Sequence, residues 1–148
     1  MLDVNVLVSA HHRESPEHVA FRKWLQGLIA AGETFGVPEI VLSGFVRVVT
    51  LPRPWQRPST TVEALNFCEL LMSLPQCLVL QPSGRHWNLF GQLCRRINAK
   101  ANLVSDAYLA VFALEQDAEW VTGDVDFAKF PGLRWRRLPQ DQVVTNPR

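Results

Sequence analysis

The sequence is poor in cysteine, in long apolar runs and in charge of one sign. Its three cysteines are an odd number and form no C-x-x-C pair, which argues against both a disulfide framework and a zinc knuckle. No apolar run reaches the roughly 20 residues that cross a bilayer. An acid stands at position 3, where a signal peptide would carry basic residues. These absences predict a cytoplasmic protein without a membrane span.

Charge is balanced, with 15 Lys and Arg residues against 14 Asp and Glu residues and a formal net charge of +1. Overall charge therefore exerts no strong pull on nucleic acid or membranes, and any contact with a polyanion must come from local clusters or bound cations. The length of 148 residues predicts one domain, 1–148, with a loose tail over about 139–148. Because a buried first strand normally has more residues ahead of it, a longer native N-terminus is also considered.

Short apolar segments alternate with amphipathic ones along the chain. The strands are expected within 2–8, where a short strand leads into a helical turn, and at 34–37, 77–80, 119–122 and 133–138. The helices are expected at 16–31, 38–51, 60–73, 83–97 and 103–116. This alternation predicts an α/β/α domain, in which a short parallel sheet is flanked by helices. In such sheets ligands bind at the carboxyl ends of the strands.

Acidic residues stand at these strand ends or on helices that could line the same edge of the sheet. Each has an ordinary interpretation: Asp3 as a helix cap, Glu39 and Asp106 as acids in a first helical turn, and Asp124 and Asp126 as turn residues. All of them are embedded in apolar sequence, where acids are costly unless they are paired or bound to metal. Several acids gathered at one sheet edge would repel one another, and a divalent cation would remove that repulsion. Carboxylate oxygens favour Mg²⁺ or Mn²⁺ over zinc.

Four blocks of sequence resemble those of PIN-domain ribonucleases. Residues 1–8 (MLDVNVLV) resemble the family's L-D-x-N-V-L opening, and residues 38–47 (PEIVLSGFVR) resemble its acid followed by G-F-x-R. Residues 102–110 (NLVSDAYLA) and 122–133 (TGDVDFAKFPGL) are similar to its third and fourth blocks. Their order and spacing resemble those of the VapC toxins of VapBC toxin–antitoxin systems.

The resemblance implies a metal-dependent endoribonuclease that uses Mg²⁺, for which Mn²⁺ can substitute. Its substrate would be RNA, either tRNA or ribosomal RNA, and hydrolysis would use a metal-activated water. A VapB-type antitoxin would inhibit it by inserting residues into the groove of the active site. A homodimer and a larger toxin–antitoxin complex are also implied.

Carried over by position, the acidic quartet is Asp3, Glu39, Asp106 and Asp124, all four being catalytic residues and metal ligands. Asp126 is an alternative fourth acid. In this hypothesis Asp3 and Asp106 hold the principal ion, and Glu39 and Asp124 complete the pocket. The surrounding groups are Asn5 and Thr122, which would orient the acids by hydrogen bonds, and Arg47, which would contact a phosphate or pair with an acid.

Three alternatives are left open. The first is a PIN-like nuclease with another nucleic acid as its substrate. The second is a haloacid-dehalogenase-like phosphatase, which also opens with an acid at a strand end but needs a second aspartate where this sequence has Asn5. The third is a binding protein whose site has decayed, against which the retention of all four acids argues.

Overall fold

The computed structural model describes residues 1–139 and 143–148. The helices are α1 (Val4–His11), α2 (His18–Ala30), α3 (Glu39–Val49), α4 (Thr61–Met72), α5 (His86–Ile97) and α6 (Asn102–Glu115). The strands are β1 (Phe35–Pro38), β2 (Cys77–Leu80), β3 (Trp120–Thr122), β4 (Arg134–Arg137) and β5 (Val143–Thr145), and a 3₁₀ helix spans Val125–Lys129. Helices alternate with short strands, as the sequence predicts.

The sheet consists of two groups of strands joined by the first residues of the chain. Strand β1 is parallel to β2, β3 is parallel to β4, and β5 lies antiparallel to β4. Leu2 donates its N–H to the Gly36 carbonyl at 3.0 Å and pairs with Val121 in the parallel sense. The extended segment 1–3 therefore lies between β1 and β3, and it ends at an acid. The expected strand within 2–8 is shorter than predicted, because α1 begins at Val4.

Small side chains on α6 allow its neighbours to approach closely. Ala107, Ala110 and Ala113 are all fully buried on this helix, and α6 packs against both α5 and the 3₁₀ helix. Close packing of this kind brings the first turns of α6 next to the segment that follows β3. The position of Asp106 relative to the aspartates at 124 and 126 follows from this packing.

Gly44 sets the contact between α3 and α1. A Cβ atom at this position would lie 3.0 Å from Val4 Cγ2, closer than ordinary van der Waals contact. A larger residue would push α3 away from the beginning of α1. The glycine of the G-F-V-R block therefore has a packing role, and it holds the helix that carries Glu39 against the helix that follows Asp3.

Of the predicted helices, the one over 60–73 begins within one residue of its expected start and the one over 16–31 begins two residues late. Thr60 Oγ1 accepts the Glu63 N–H at 3.2 Å, and Glu63 Oε2 accepts the Thr60 N–H at 2.7 Å, which is a reciprocal cap at the start of α4. The helix expected from residue 16 begins only at His18. The Ser15 hydroxyl donates to Ser9 Oγ at 3.1 Å. None of the helices in the described residues combines the length and apolarity needed to cross a bilayer.

The prediction of a loose tail over 139–148 is wrong for residues 143–146. The backbone of β5 pairs with β4, and Asn146 is 5% exposed. Asn146 Nδ2 donates to the carbonyl oxygens of Phe127 and Phe130 at 2.9 and 2.8 Å, and its Oδ1 accepts Trp135 Nε1 at 3.1 Å. These bonds satisfy buried groups that would otherwise have no partner, which is why the polar tail is held. Residues 140–142 lie outside the described residues.

Replacing Asn146 by alanine is expected to lower the free energy of unfolding by about 2–4 kcal/mol, because two carbonyls and one indole N–H lose their buried partners. Urea unfolding followed by tryptophan fluorescence measures the change. The control is Asn88→Ala at an exposed position of α5, which should change stability by less than about 0.5 kcal/mol. Equal effects of the two variants would contradict a structural role for the tail.

Candidate active site

Asp3 ends the first extended segment, and its side chain is 4% exposed. Its Oδ1 accepts the Val4 N–H at 2.7 Å, which caps α1. Its Oδ2 accepts Thr122 Oγ1 at 2.6 Å and Asn5 Nδ2 at 2.9 Å. The capping interpretation of Asp3 is therefore correct for one oxygen, while the other oxygen belongs to a polar network at the carboxyl end of β3.

Asn5 and Thr122 tie the beginning of α1 to the end of β3. Asn5 Nδ2 donates to Thr122 Oγ1 at 3.0 Å, and Asn5 Oδ1 accepts the Gly123 N–H at 2.7 Å. Thr122 Oγ1 also accepts the Asp124 N–H at 3.0 Å. Thr122 is fully buried, and these bonds fix the backbone that carries Asp124. The contacts are those of groups that orient acids, and their part in metal binding stays a prediction.

Three carboxylates converge beside this network. Asp106 on α6 and Asp124 and Asp126 after β3 each offer an oxygen, and these three oxygens lie within 4.8 Å of one another. All three residues are half-buried. The Asp126 N–H donates to Asp124 Oδ1 at 2.8 Å, which fixes the turn between them. We call Asp106, Asp124 and Asp126 the aspartate cluster.

The proximity of these carboxylates changes their protonation. Burial, followed by the negative charges of Asp124, Asp3 and Asp126, raises the pKa of Asp106 to about 6. Burial also raises the pKa of Asp3, although the hydrogen bonds from Thr122, Val4 and Asn5 act in the opposite direction. Asp3 lies outside the group of three oxygens, yet its charge acts on Asp106. The four aspartates therefore form one electrostatic unit.

The structure brings both candidate fourth acids into the cluster. Asp124 belongs to it, and so does Asp126, which was the weaker candidate on sequence grounds. The two differ in their other contacts. Asp124 Oδ1 caps the 3₁₀ helix, whereas Asp126 Oδ1 lies 2.6 Å from the ammonium group of Lys129. Preference for Asp124 as the metal ligand stays a prediction.

Glu39 and Arg47 are not members of the aspartate cluster. Glu39 is exposed at the first position of α3, directly after β1, and it is not a member of the group of three carboxylates found in the described residues. Its position at a strand's carboxyl end agrees with the sequence analysis. Arg47 is exposed in the last turn of α3, two turns beyond Glu39. Its contact with a phosphate stays a prediction.

The donor set of the cluster suits a hard divalent cation. Among the described residues, no donor is hydrogen-bonded to either oxygen of Asp106, so both are available to an ion. Three mutually repelling carboxylates with oxygens this close gain from a cation between them. Oxygen ligands of this type fit Mg²⁺ or Mn²⁺, and the cluster has neither sulfur nor imidazole to select zinc.

Two cavities bear on how a substrate reaches the site. A cavity of about 320 Å³ lies directly beside Asp124 and is also lined by Asn5, Ser9, Glu17 and Arg137. A larger cavity of about 1040 Å³ is lined by Glu33 and Glu119 but by none of the candidate site acids. We assign the chemistry to the smaller cavity and the aspartate cluster, because no member of the cluster lines the larger one.

Lys129 is a charged residue at the site that the sequence analysis did not single out. It ends the 3₁₀ helix, and its ammonium group pairs with Asp126 across a spacing of three residues. That spacing is a local signal, since residues three apart on a helical turn face each other. The spacing predicts only a local ion pair, and it points to the active site only because Asp126 lies in the cluster.

Comparisons with known proteins agree with this geometry. The family profile described as PIN domain matches residues 1–133. Ribonuclease VapC43 of Mycobacterium tuberculosis is 42% identical over 135 residues, which are 91% of this chain and 92% of that protein. This level of identity over nearly the whole of both chains establishes common family membership.

Solved structures extend the comparison to the fold. The VapBC2 complex of Rickettsia felis, bound to a DNA fragment from its promoter, matches with a TM-score of 0.68 and 19% identity, covering 93% of this chain and 96% of that one. The sarcin-ricin loop cleaving toxin VapC20 of Mycobacterium tuberculosis matches with a TM-score of 0.62 and 13% identity, covering 87% and 94%. At these identities the two structures establish a shared architecture.

Proposed function

This chain belongs to the PIN-domain family and to its VapC ribonucleases, and we propose that its aspartate cluster is the metal-dependent centre with which it cuts RNA. The chain is the endoribonuclease toxin of a toxin–antitoxin module. The observation that carries the proposal is the convergence of Asp106, Asp124 and Asp126 within 4.8 Å. Such a group of carboxylates is unfavourable without a counter-ion and suited to Mg²⁺ or Mn²⁺.

The residues around the cluster have distinct roles in this proposal. Asp106 and Asp124 bind the ion, and Asp3 adds negative charge from beneath while its hydrogen bonds hold β3 in place. Asn5 and Thr122 position these carboxylates through the bonds described above. Glu39, at the first position of α3 directly after β1, completes the pocket, and Arg47 contacts the RNA backbone farther along that helix.

A divalent cation bound here would polarise a water molecule and neutralise the charge that develops on the scissile phosphate. The protein's own contribution is a set of carboxylates that the packing of α6 and the hydrogen bonds of Asp3 and Asp124 hold near one another. Preorganisation of this kind is effective because the ligands do not have to be gathered when the ion and the RNA arrive.

The partners are proposed from the relatives. VapC20 is a sarcin-ricin loop cleaving toxin, and VapBC2 is a toxin–antitoxin pair seen on promoter DNA. We infer by analogy that this chain cuts a structured RNA, either tRNA or ribosomal RNA. Its cognate partner is a VapB-type antitoxin, and a homodimer is the unit from which the larger complex is built. The cytoplasm is the compartment that holds these RNAs.

The decisive experiment incubates the purified protein with tRNA and ribosomal RNA in Mg²⁺, in Mn²⁺ and in EDTA. Because the ion is expected to supply several kcal/mol, cleavage in EDTA should be at least about 100-fold slower than in Mg²⁺. Adding excess Mg²⁺ or Mn²⁺ to the chelated sample should restore it. Full cleavage in EDTA would contradict metal dependence, and intact RNA in every metal would contradict the ribonuclease assignment for these substrates.

A further inference from the structure

Lys129 lies at the rim of the aspartate cluster. Its Nζ is 2.6 Å from Asp126 Oδ1, and the side chains are 56% and 45% exposed. Among the described residues no other acceptor is hydrogen-bonded to this ammonium group. An ammonium has three N–H donors, so two of them are left for solvent or a ligand. The lysine is thus anchored at one point and open on its outer side.

The charge of Lys129 acts on the whole cluster and not only on its hydrogen-bond partner. It lowers the pKa of Asp106, against the effect of the neighbouring aspartates. In return, the hydrogen bond with Asp126 and then the charges of Asp126, Asp124 and Asp106 raise the pKa of Lys129. The ammonium group is therefore within electrostatic reach of all three carboxylates, at the place where a substrate would approach them.

An incoming RNA phosphate meets an excess of negative charge at this place. When the three carboxylates of the cluster and the buried Asp3 are all ionised they carry four negative charges, and a single divalent ion neutralises only two of them. The remaining negative charge would repel an incoming phosphodiester. A lysine at the rim offsets part of this repulsion and presents free donors to phosphate oxygens, which accept hydrogen bonds from lysine in most nucleic-acid interfaces.

We propose that Lys129 contacts an RNA phosphate at the active site, and that Asp126 holds this lysine in place instead of binding the metal ion. This proposal rests on the proposed function. The proposal gives the two aspartates of the T-G-D-V-D segment different roles: Asp124 binds the metal ion, and Asp126 binds Lys129. The alternative is that Lys129 and Asp126 form a simple exposed ion pair, which would contribute little to stability and nothing to RNA binding.

Four variants separate these cases. Lys129→Gln removes the charge with little change of size, Lys129→Arg restores the charge, and Asp126→Asn removes the anchor. Lys23→Gln, on the exposed side of α2, is the matched control. Each is measured in two ways: Mn²⁺ affinity by calorimetry without RNA, and initial rates of RNA cleavage as a function of RNA and salt concentration.

The expected results have opposite signs in the two assays. Lys129→Gln should bind Mn²⁺ about 2- to 5-fold more tightly, because a nearby positive charge is gone. The same variant should raise KM for RNA about 5- to 10-fold, with kcat changed less than about 3-fold. The slope of log(kcat/KM) against log salt concentration should become shallower by about 1, because one phosphate contact is lost. Lys129→Arg should recover most of the loss, and Lys23→Gln should match the wild type in both assays.

Asp126→Asn decides between the two roles of this aspartate. If it anchors the lysine, the variant should raise KM as Lys129→Gln does and weaken Mn²⁺ binding less than about 3-fold, since the ion keeps its main ligands. Mn²⁺ binding weakened about 100-fold would make Asp126 a ligand and overturn the proposal. So would a Lys129→Gln variant identical to the wild type. A wild type that neither binds Mn²⁺ nor cuts RNA would overturn the proposed function itself.

Discussion

Replacing Asp106 by asparagine is expected to abolish RNA cleavage while making the metal-free protein more stable. The loss of activity should be about 1000-fold, because a ligand of an ion that contributes several kcal/mol to the transition state is removed. Addition of Mg²⁺ or Mn²⁺ should raise the melting temperature of the wild type but not of Asp106→Asn, since stabilisation by a ligand requires binding to the folded state.

The gain in stability follows from the raised pKa of Asp106. Its folded value of about 6 lies above the ordinary value of 3.8. Below pH 4 the carboxyl group is protonated in both states, so it does not oppose folding. As the pH rises from about 4 to 6 the group ionises first in the unfolded state, and the stability of the folded state falls. Above pH 6 the ionised group opposes folding, and because it is partly open to solvent we expect the asparagine variant to gain only about 1–2 kcal/mol there.

Urea unfolding in EDTA at pH 4.0 and pH 7.5 measures this difference. The variant should be more stable than the wild type at pH 7.5 and nearly equal to it at pH 4.0. A variant destabilised at pH 7.5 would show that Asp106 makes favourable contacts and does not suffer repulsion. Cleavage retained at the wild-type rate would remove Asp106 from the proposed metal site.

Replacing Asp3 by asparagine is expected to abolish cleavage to a similar degree, about 1000-fold, but with the opposite effect on stability. Three donors converge on the two oxygens of Asp3, from Val4, Asn5 and Thr122. An amide has one acceptor oxygen, so at least one of these donors would meet its NH₂ group. Hydrogen bonds to a charged group are worth about 1.5–3 kcal/mol each. The loss of these bonds costs more than is gained by no longer burying a charge. We therefore expect the free energy of unfolding to fall by about 1–3 kcal/mol.

The contrast between the two variants distinguishes their roles. Both are measured by the same urea titration in EDTA at pH 7.5, and both should lose cleavage of the same RNA. If Asp3→Asn stabilised the metal-free protein as Asp106→Asn does, the hydrogen-bond network around Asp3 would not be what holds α1 to β3. Circular dichroism of both variants serves as the control that each is folded.

Much of the fold could be predicted because its signals are local. The strand at Cys77–Leu80 and the helix that begins next to Thr60 were both predicted from a few consecutive residues. Such patterns depend on backbone hydrogen bonds and side-chain spacing within one or two turns. The beginning of α2 was misplaced by two residues, and the Ser15 hydroxyl before it bonds to Ser9 on the preceding helix, a contact that local sequence patterns do not predict.

The candidate site was predictable in its members and not in its arrangement. The acids stand out in sequence because they interrupt apolar segments near strand ends. The distances among them depend on how α6 packs against the 3₁₀ helix. For the same reason the ordered tail was missed: Asn146 is held by carbonyls 16 and 19 residues earlier in the chain, at Phe130 and Phe127.

The sequence alone thus determined the α/β class and the PIN-type blocks. It also determined which acids are the candidate site residues: those at positions 3, 39, 106 and 124. Only the tertiary structure decided that Asp126 joins Asp106 and Asp124, and that Lys129 lies at their rim. The physical reason is the range of the interactions. Thr122 and Asp3 share a hydrogen bond across 119 residues of chain, and a contact of that separation depends on the packing of every element between them.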